Sequence, residues 1–391
     1  MTRISCLALL ASATVIAGLL TGCSNASADP AYQVANELPD YNQRSFEQYR
    51  EATKLWLNDN RVFMTDNHEQ ELDLVLPTEY RPTHPNGKGV LLVHGLGDSP
   101  YSFVDVAQHL ADKGYLVRTI LLPGHASKAG DLALPSLEDW QGVVHHHIQL
   151  LKRQTPSLWL GGYSTGANLA TEAAIKDPTI DGLLLFSPAF EPTSTAVRWA
   201  GLASYFVTWA DQDPEDNPLR YNSLPMNGAA VYYQTTEVVK QALKGRSYDK
   251  PVFMIMSEAD GIIDTGYAAE VFQHTMTHPN KHLVWQGETK ATDTHISRFS
   301  MKLPEQRIAN GSHQGLLISP DNPLYGINGS NIICGNGQTP EHEQACINGA
   351  PVWFSSWGHQ EPGKIFARLT YNPYFTQSMA LMDQVMDKTT R

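Results

Sequence analysis

The sequence predicts an α/β fold built on a mostly parallel sheet, and three observations carry that prediction. Short apolar runs alternate with amphipathic helical stretches over most of the chain, each run is apolar throughout rather than at every second position, and Gly- and Pro-rich turns separate them. Taken in order, Phe46, Tyr49, Thr53, Trp56 and Leu57 recur at helical spacing and predict a helix leading into the domain. Glu71 to Leu76 alternates as a strand does. After the turn-rich stretch from Pro82 to Gly89, Val90-Leu91-Leu92-Val93 reads as a buried strand. A strand at Leu116 to Leu122, a helix at Leu137 to Lys152, a strand at Leu158 to Leu160 and a helix at Thr165 to Lys176 follow. Further apolar runs lie at Ile180 to Phe186 and Pro251 to Met256, then a helix at Tyr267 to Met276 and a strand at His282 to Trp285. Phe375, Met379, Met382 and Met386 predict a closing helix packed on the sheet. In sheets of this kind ligands sit beyond the carboxyl ends of the strands, which directs attention to the residues just after each run.

The first residues read as an export signal. Arg3 precedes an uncharged apolar stretch from Ile4 to Leu20, too short for a comfortable membrane span, and a small-residue site follows at once. Leu20-Thr21-Gly22-Cys23 resembles the lipobox of bacterial lipoproteins, which implies cleavage before Cys23 and acyl chains on it; an ordinary secretory signal is the alternative. The expected organisation is a signal peptide over 1–22, a flexible tether over 23–40, a first part of the core over 41–190, a cap insertion over 191–249 and a second part over 250–391. Ser24 after the cysteine resembles lipoproteins sent to the outer membrane, so the expected location is the bacterial cell envelope.

With Cys6 removed and Cys23 lipidated, Cys334 and Cys346 remain, and in an oxidising compartment they predict one disulfide around a loop too polar to hold itself by burial. A metal pair is the rival, weakened because only His342 lies nearby. The 391-residue chain carries 28 basic and 40 acidic residues; losing Arg3 with the signal leaves 27 − 40 = −13. No basic run marks a nucleic-acid partner, and an acidic surface gives no attraction to anionic lipid, which leaves the covalent anchor as the expected membrane tie.

The chemistry is concentrated at three strand ends. Gly162-Tyr163-Ser164-Thr165-Gly166 stands between an apolar strand and an amphipathic helix, where Gly-x-Ser-x-Gly forms a sharp elbow that lifts Ser164 clear of the sheet as a nucleophile. An earlier strand runs into His94-Gly95-Leu96-Gly97-Asp98-Ser99, whose Gly-rich backbone can approach a carbonyl closely, and the N–H groups of Leu96 and Thr165 are assigned to an oxyanion hole. A serine hydroxyl needs a base and the base an orienting acid; on a fold with this strand-elbow-helix arrangement they come in the order Ser, acid, His. Asp260, past the strand Pro251 to Met256, is the acid in preference to Glu258 and Asp264. His313 is the base, with His359 as rival. His94 and His125 precede the serine, so chain order excludes them as base, and His94 is assigned to the substrate pocket. The triplet His145-His146-His147 lies in a helix, where neighbours point apart, and makes a poor metal site.

Together with Leu121-Leu122-Pro123-Gly124-His125, Trp140 and Ser257-Glu258-Ala259-Asp260, these motifs resemble the monoacylglycerol lipase and carboxylesterase branch of the α/β-hydrolase superfamily over about residues 88–190 and 250–315. The resemblance implies an α/β-hydrolase fold with an inserted cap, Ser164, Asp260 and His313 as a triad, ester substrates with acyl chains, and no metal or organic cofactor. Two segments depart from the pattern: a long insertion between Trp285 and His313, and everything from Pro320, with Cys334, Cys346, Trp353, Phe354 and Trp357. In the cap, Trp199, Leu202, Phe206 and Trp209 recur at spacings of three and four, and Trp199 and Phe206 are expected to shelter an acyl chain above the nucleophile. The reading of a different class is a non-catalytic lipoprotein that binds lipid or a protein partner in the same pocket.

Overall fold

The computed structural model describes residues 29–289 and 293–387, so the signal segment, Cys23 and Ser24 lie outside the described residues. Helix α1 (Phe46–Asn60) starts where the Ser45 side chain accepts from the N–H of Gln48, and α2 (His68–Val75) where Asn67 does the same for Gln70. Then come β1 (Glu79–Tyr80), β2 (Lys88–Val93), α3 (Val104–Asp112), β3 (Leu116–Ile120), α4 (Leu137–Lys152), β4 (Ser157–Tyr163), α5 (Thr165–Lys176) and β5 (Gly182–Phe186). Ser136 and Asp139 form a reciprocal capping box at the start of α4. The cap carries α6 (Ala200–Ala203) and a two-stranded ribbon, β6 (Trp209–Asp211) and β7 (Leu224–Pro225), before α7 (Met226–Leu243). The chain returns through β8 (Val252–Ser257), α8 (Thr265–His274), β9 (Lys281–Gln286) and β10 (Ile296–Phe299). It ends with α9 (Pro340–Ile347), a second ribbon of β11 (Trp353–Ser355) and β12 (Phe366–Arg368), and α10 (Phe375–Asp387).

Eight strands form the central sheet in the order β1-β3-β2-β4-β5-β8-β9-β10, with β1 antiparallel to β3 and all other neighbours parallel. The strands are apolar throughout because both faces are covered. Leu91, Val93, Leu158, Leu160, Leu183, Leu185 and Met254 enter one core with residues of α4, α5, α7 and α8. Val90, Leu92, Trp159, Leu184, Phe186, Phe253 and Ile255 enter the other with residues of α2, α3 and α10.

Two expectations are corrected. Glu71 to Leu76 is the end of α2 and not a strand: Leu72, Val75 and Leu76 are buried at helical spacing, and the buried Glu71 carboxylate is held by Arg61 at 2.7 Å and by the N–H groups of Met64 and Thr65. The apparent alternation comes from a charge that faces inward. In the cap, the stripe from Trp199 to Trp209 is not one helix. A 3-10 turn over Thr195–Trp199, the single turn of α6 and the strand β6 divide it. The insertion between Trp285 and His313 supplies β10, which lengthens the sheet beyond β9. Cys334 and Cys346 are joined in a disulfide with Cα atoms 5.7 Å apart.

Candidate active site

Ser164 stands between β4 and α5 with φ 54° and ψ −117°, a conformation rarely adopted by a residue with a side chain. Its neighbours explain how the chain turns so sharply: a Cβ on Gly162 would lie 2.2 Å from the carbonyl oxygen of Gly166, and one on Gly166 would lie 2.0 Å from that of Val93. Both positions are closed to any side chain. The backbone N–H of Ser164 donates to the Phe186 carbonyl at 3.0 Å, which ties the elbow to the end of β5.

His313 reaches the serine from a loop after β10. Its Nε2 lies 3.0 Å from Ser164 Oγ and its Nδ1 lies 2.5 Å from Asp260 Oδ2. The carboxylate of Asp260 is out of solvent and well satisfied: Oδ1 accepts from the N–H groups of Ile262 and Ile263, and Oδ2 from the Ser187 hydroxyl at 3.1 Å. Those bonds fix the carboxylate, and the carboxylate fixes the imidazole with Nδ1 as donor and Nε2 as acceptor. The Tyr163 ring packs against the imidazole with centroids 5.1 Å apart. The rival His359 is engaged elsewhere, with its Nε2 3.0 Å from Glu361. Glu258 turns away to the N–H of Thr289, and Asp264 caps α8 through the N–H of Tyr267.

Leu96 follows β2 and faces the elbow, and its N–H is not taken up by any backbone carbonyl among the described residues. Thr165 is the first residue of α5, where a helix leaves N–H groups unsatisfied and its dipole favours negative charge. Leu96 and Val197 pack on a buried cluster of Ala189, Tyr232 and Ile263, and the N–H of Ala189 joins that cluster to the elbow by donating to the Ser164 carbonyl at 3.3 Å.

The assignment of His94 to substrate contact is corrected. The ring is fully buried, Nδ1 donates to the Gly95 carbonyl at 2.8 Å, and Nε2 accepts from the N–H of Leu122 at 3.0 Å. Burial and the neighbouring His125 hold its pKa well below the usual histidine range, so it is a neutral strut beneath the Gly95-Leu96 turn. Trp199 and Phe206 are corrected too: they are 59 % and 82 % exposed, on the outside of the cap, and Val197 is the cap residue packed toward the site. His147 is buried against Phe46 and Tyr49, and His146 bonds the Gln43 carbonyl, so the triplet is packing and not a ligand set.

Ser187 and Asp98 are features that the motif reading passes over. Ser187 has φ 40° at the carboxyl end of β5, the kind of position the strand-end rule singles out. Asp98 has no sequence signal of its own. Burial pushes its carboxyl up to about 6, against the opposing pull of the Ser99 N–H, Arg220 and His313. It borders a cavity of about 430 Å³ shared with Gly97, Arg220 and Tyr221.

Residues 84–213 match the profile of a family described as "Serine aminopeptidase, S33". The match covers a third of the chain; the mostly parallel eight-stranded sheet and the elbow between β4 and α5 carry the architecture. The fold is that of an α/β hydrolase. A thermostable monoacylglycerol lipase of Bacillus sp. (strain H-257) is 27% identical over 191 residues, spanning 47% of this chain and 75% of that protein. Among solved α/β structures, one described under "LipS and LipT, two metagenome-derived lipolytic enzymes" has a TM-score of 0.49 at 21% identity, covering 56% of this chain and 91% of that one. The monoacylglycerol lipase of Paleococcus ferrophilus has a TM-score of 0.46 at 18% identity, over 58% and 90%. The family match ends between β6 and β7. The His313 loop and the stapled region after it lie beyond it.

Proposed function

We propose that this chain is a serine hydrolase of carboxylic esters with acyl chains, of the lysophospholipase, monoacylglycerol lipase or carboxylesterase type. The observation that carries the reading is the imidazole of His313, placed 3.0 Å from Ser164 Oγ and 2.5 Å from the buried carboxylate of Asp260. Nε2 takes the hydroxyl proton as Oγ attacks the ester carbonyl, and Asp260 stabilises the imidazolium through Nδ1–H. The oxyanion is received by the N–H groups of Leu96 and Thr165. Collapse breaks the ester C–O bond, Nε2–H protonates the departing alcohol, and a water activated by the same nitrogen then releases the acid from Ser164. Nε2–H then returns a proton to Ser164 Oγ, and because every proton moves among Ser164, His313, substrate and water, the cycle needs no metal or organic cofactor.

The substrate class rests on the apolar cluster of Leu96, Val197, Tyr232 and Ile263 beside the elbow and on the monoacylglycerol lipase relative. The location rests on the Leu20-Thr21-Gly22-Cys23 motif: the chain is held in the cell envelope, at the outer membrane, by acyl groups on Cys23. The described part of the expected tether is held on the domain: the Tyr32 ring packs edge-on to Trp209 with centroids 5.3 Å apart, its hydroxyl donates to the Asp213 carbonyl, and the N–H of Ala35 donates to Asp131. Trp199, Leu202, Tyr205, Phe206 and Val207 are exposed on the cap, an outer surface suited to lying on lipid.

The test is a substrate panel of p-nitrophenyl esters, lysophospholipids, monoacylglycerols and aminoacyl p-nitroanilides, run on wild type, Ser164→Ala and His313→Ala, with fluorophosphonate labelling alongside. Ester turnover and labelling by wild type, with both lost in Ser164→Ala, support the proposal. Turnover of the anilides alone makes the chain a peptidase. No labelling and no turnover in wild type turns the reading to a lipid- or protein-binding lipoprotein. Cys23→Ser is expected to release the chain from the membrane fraction.

A further inference from the structure

The loop that carries His313 is anchored from outside the region that matches the hydrolase family. Phe354 in β11 donates to the Arg307 carbonyl at 2.7 Å and accepts from the N–H of Ala309 at 2.9 Å, one parallel rung between the two segments. One residue further along the loop, Asn310 Oδ1 accepts from the N–H of Ser356 at 2.7 Å. His313 follows Asn310 by three positions. Behind this contact the strands β11 and β12 are themselves braced. The buried Asn336 donates to the Ser355 hydroxyl at 3.1 Å and to the Ser356 carbonyl at 3.2 Å, and Gln338 bonds the Cys334 carbonyl at 3.1 Å and Phe366 on both sides. Both half-cystines are buried against Ala367, with Phe354 packed on the same cluster. An unbroken series of contacts thus runs from the disulfide through Asn336 and Ser355-Ser356 to Asn310.

We propose that residues 333–368, stapled by Cys334–Cys346, form a clamp that sets the position of the His313 imidazole, with Asn310 as the positioning residue through which it acts. This rests on the reading of His313 as the base. The physical need is plain. The loop follows a short edge strand and a 3-10 turn, and no regular element of the sheet runs through Ala309 to Gln314. A base must hold its nitrogen to within a few tenths of an ångström of the nucleophile, and an irregular loop does so only when neighbours fix its backbone. β11 and Ser356 supply that constraint from one side, and the bond from the Ser312 hydroxyl to the Leu369 carbonyl continues it just past β12. In a region this poor in core-forming residues, the covalent link keeps β11 and β12 ordered against chain entropy.

The experiment uses the full oxidised chain and a short soluble ester. Asn310→Ala removes the acceptor, whereas Asn310→Asp keeps an oxygen where the Ser356 N–H points. In Asn310→Ala, kcat is expected to fall by ~10- to 100-fold with KM changed by less than about twofold, and the fluorophosphonate labelling rate falls with it. Asn310→Asp restores most of kcat, and the pair Cys334→Ser with Cys346→Ser behaves as Asn310→Ala does, with the thermal unfolding of the sheet retained. Wild-type kcat in Asn310→Ala, while His313→Ala is silent, overturns the clamp. So does equal loss in Asn310→Ala and Asn310→Asp, since packing and not the accepted bond is then what matters. An active His313→Ala instead removes the functional reading, and the clamp with it. Should the cysteine pair fail to fold, the two Asn310 variants still decide.

Discussion

At Gly166 the sequence has no freedom, because the space a methyl group would take is filled by the carbonyl of Val93 at the end of β2. The contact is backbone against backbone, so no side chain can swing aside to relieve it. Gly166→Ala is expected to cost several kcal/mol, of order 2–4, or to open the elbow; chemical unfolding with ester turnover on the same sample distinguishes the two. Asp98 gives a prediction in pH. Burial raises its carboxyl from 3.8 to about 6, so between those values the folded chain binds the proton more tightly than the unfolded chain does. Its ionisation therefore costs stability as pH rises through that window, by about 3 kcal/mol at the most. Asp98→Asn keeps an oxygen for the Ser99 N–H and removes the charge. Its unfolding midpoint should exceed that of wild type at pH 8, with the gain fading as pH falls from about 6 to about 4 and absent below that.

Helix α2 illustrates how an element is hidden by one polar residue. Arg61 and Glu71 are almost wholly out of solvent, at 3% and 2% side-chain exposure, and the pair bridges the end of α1 to α2. Removing one partner leaves a buried charge unanswered, so Glu71→Ala is expected to lower stability by about 3–5 kcal/mol, measured by urea unfolding; replacing both partners with apolar residues should cost much less. The other elements are read more easily from composition. Leu137 to Lys152 is visible as a helix because its apolar spacing and its Ser136 cap agree, Thr165 to Lys176 from its apolar spacing alone, and the buried strands because both faces are covered. The site is legible to the same extent. Ser164, Asp260 and His313 all follow apolar runs, in the chain order expected for this fold, and the structure brings them together. His94 misleads because a histidine at a strand end looks the same whether it faces substrate or bonds backbone; only the N–H of Leu122, distant in sequence, decides. Trp199 and Phe206 mislead because spacing reports a shared face and not what lies opposite it.

Among the described residues, two large apolar cores flank the sheet, and five of the twelve exposed large hydrophobic side chains are gathered between Trp199 and Val207. The exposure of Trp199 and Phe206 changes what their removal should do. Trp199→Ser with Phe206→Ser is expected to leave turnover of dissolved esters unchanged at any acyl length and to reduce turnover of the same lipid presented in vesicles. Equal loss on both forms would mean that these rings enter the pocket after all. The proposed site is distributed unevenly as well: Ser164, Leu96 and Thr165 lie within the residues that match the family, and Asp260 and His313 outside them, His313 on a loop bonded to Ser356 through Asn310.

That appended region depends on a bond between two sulfur atoms, and such bonds do not persist among the reducing thiols of a cytosol. If the chain is exported and the clamp acts, both as proposed, newly made copies waiting for export carry the serine but not a well-aimed imidazole. The lipids of the producing cell are then spared until the polypeptide has left its interior, and the oxidising space outside completes the catalyst.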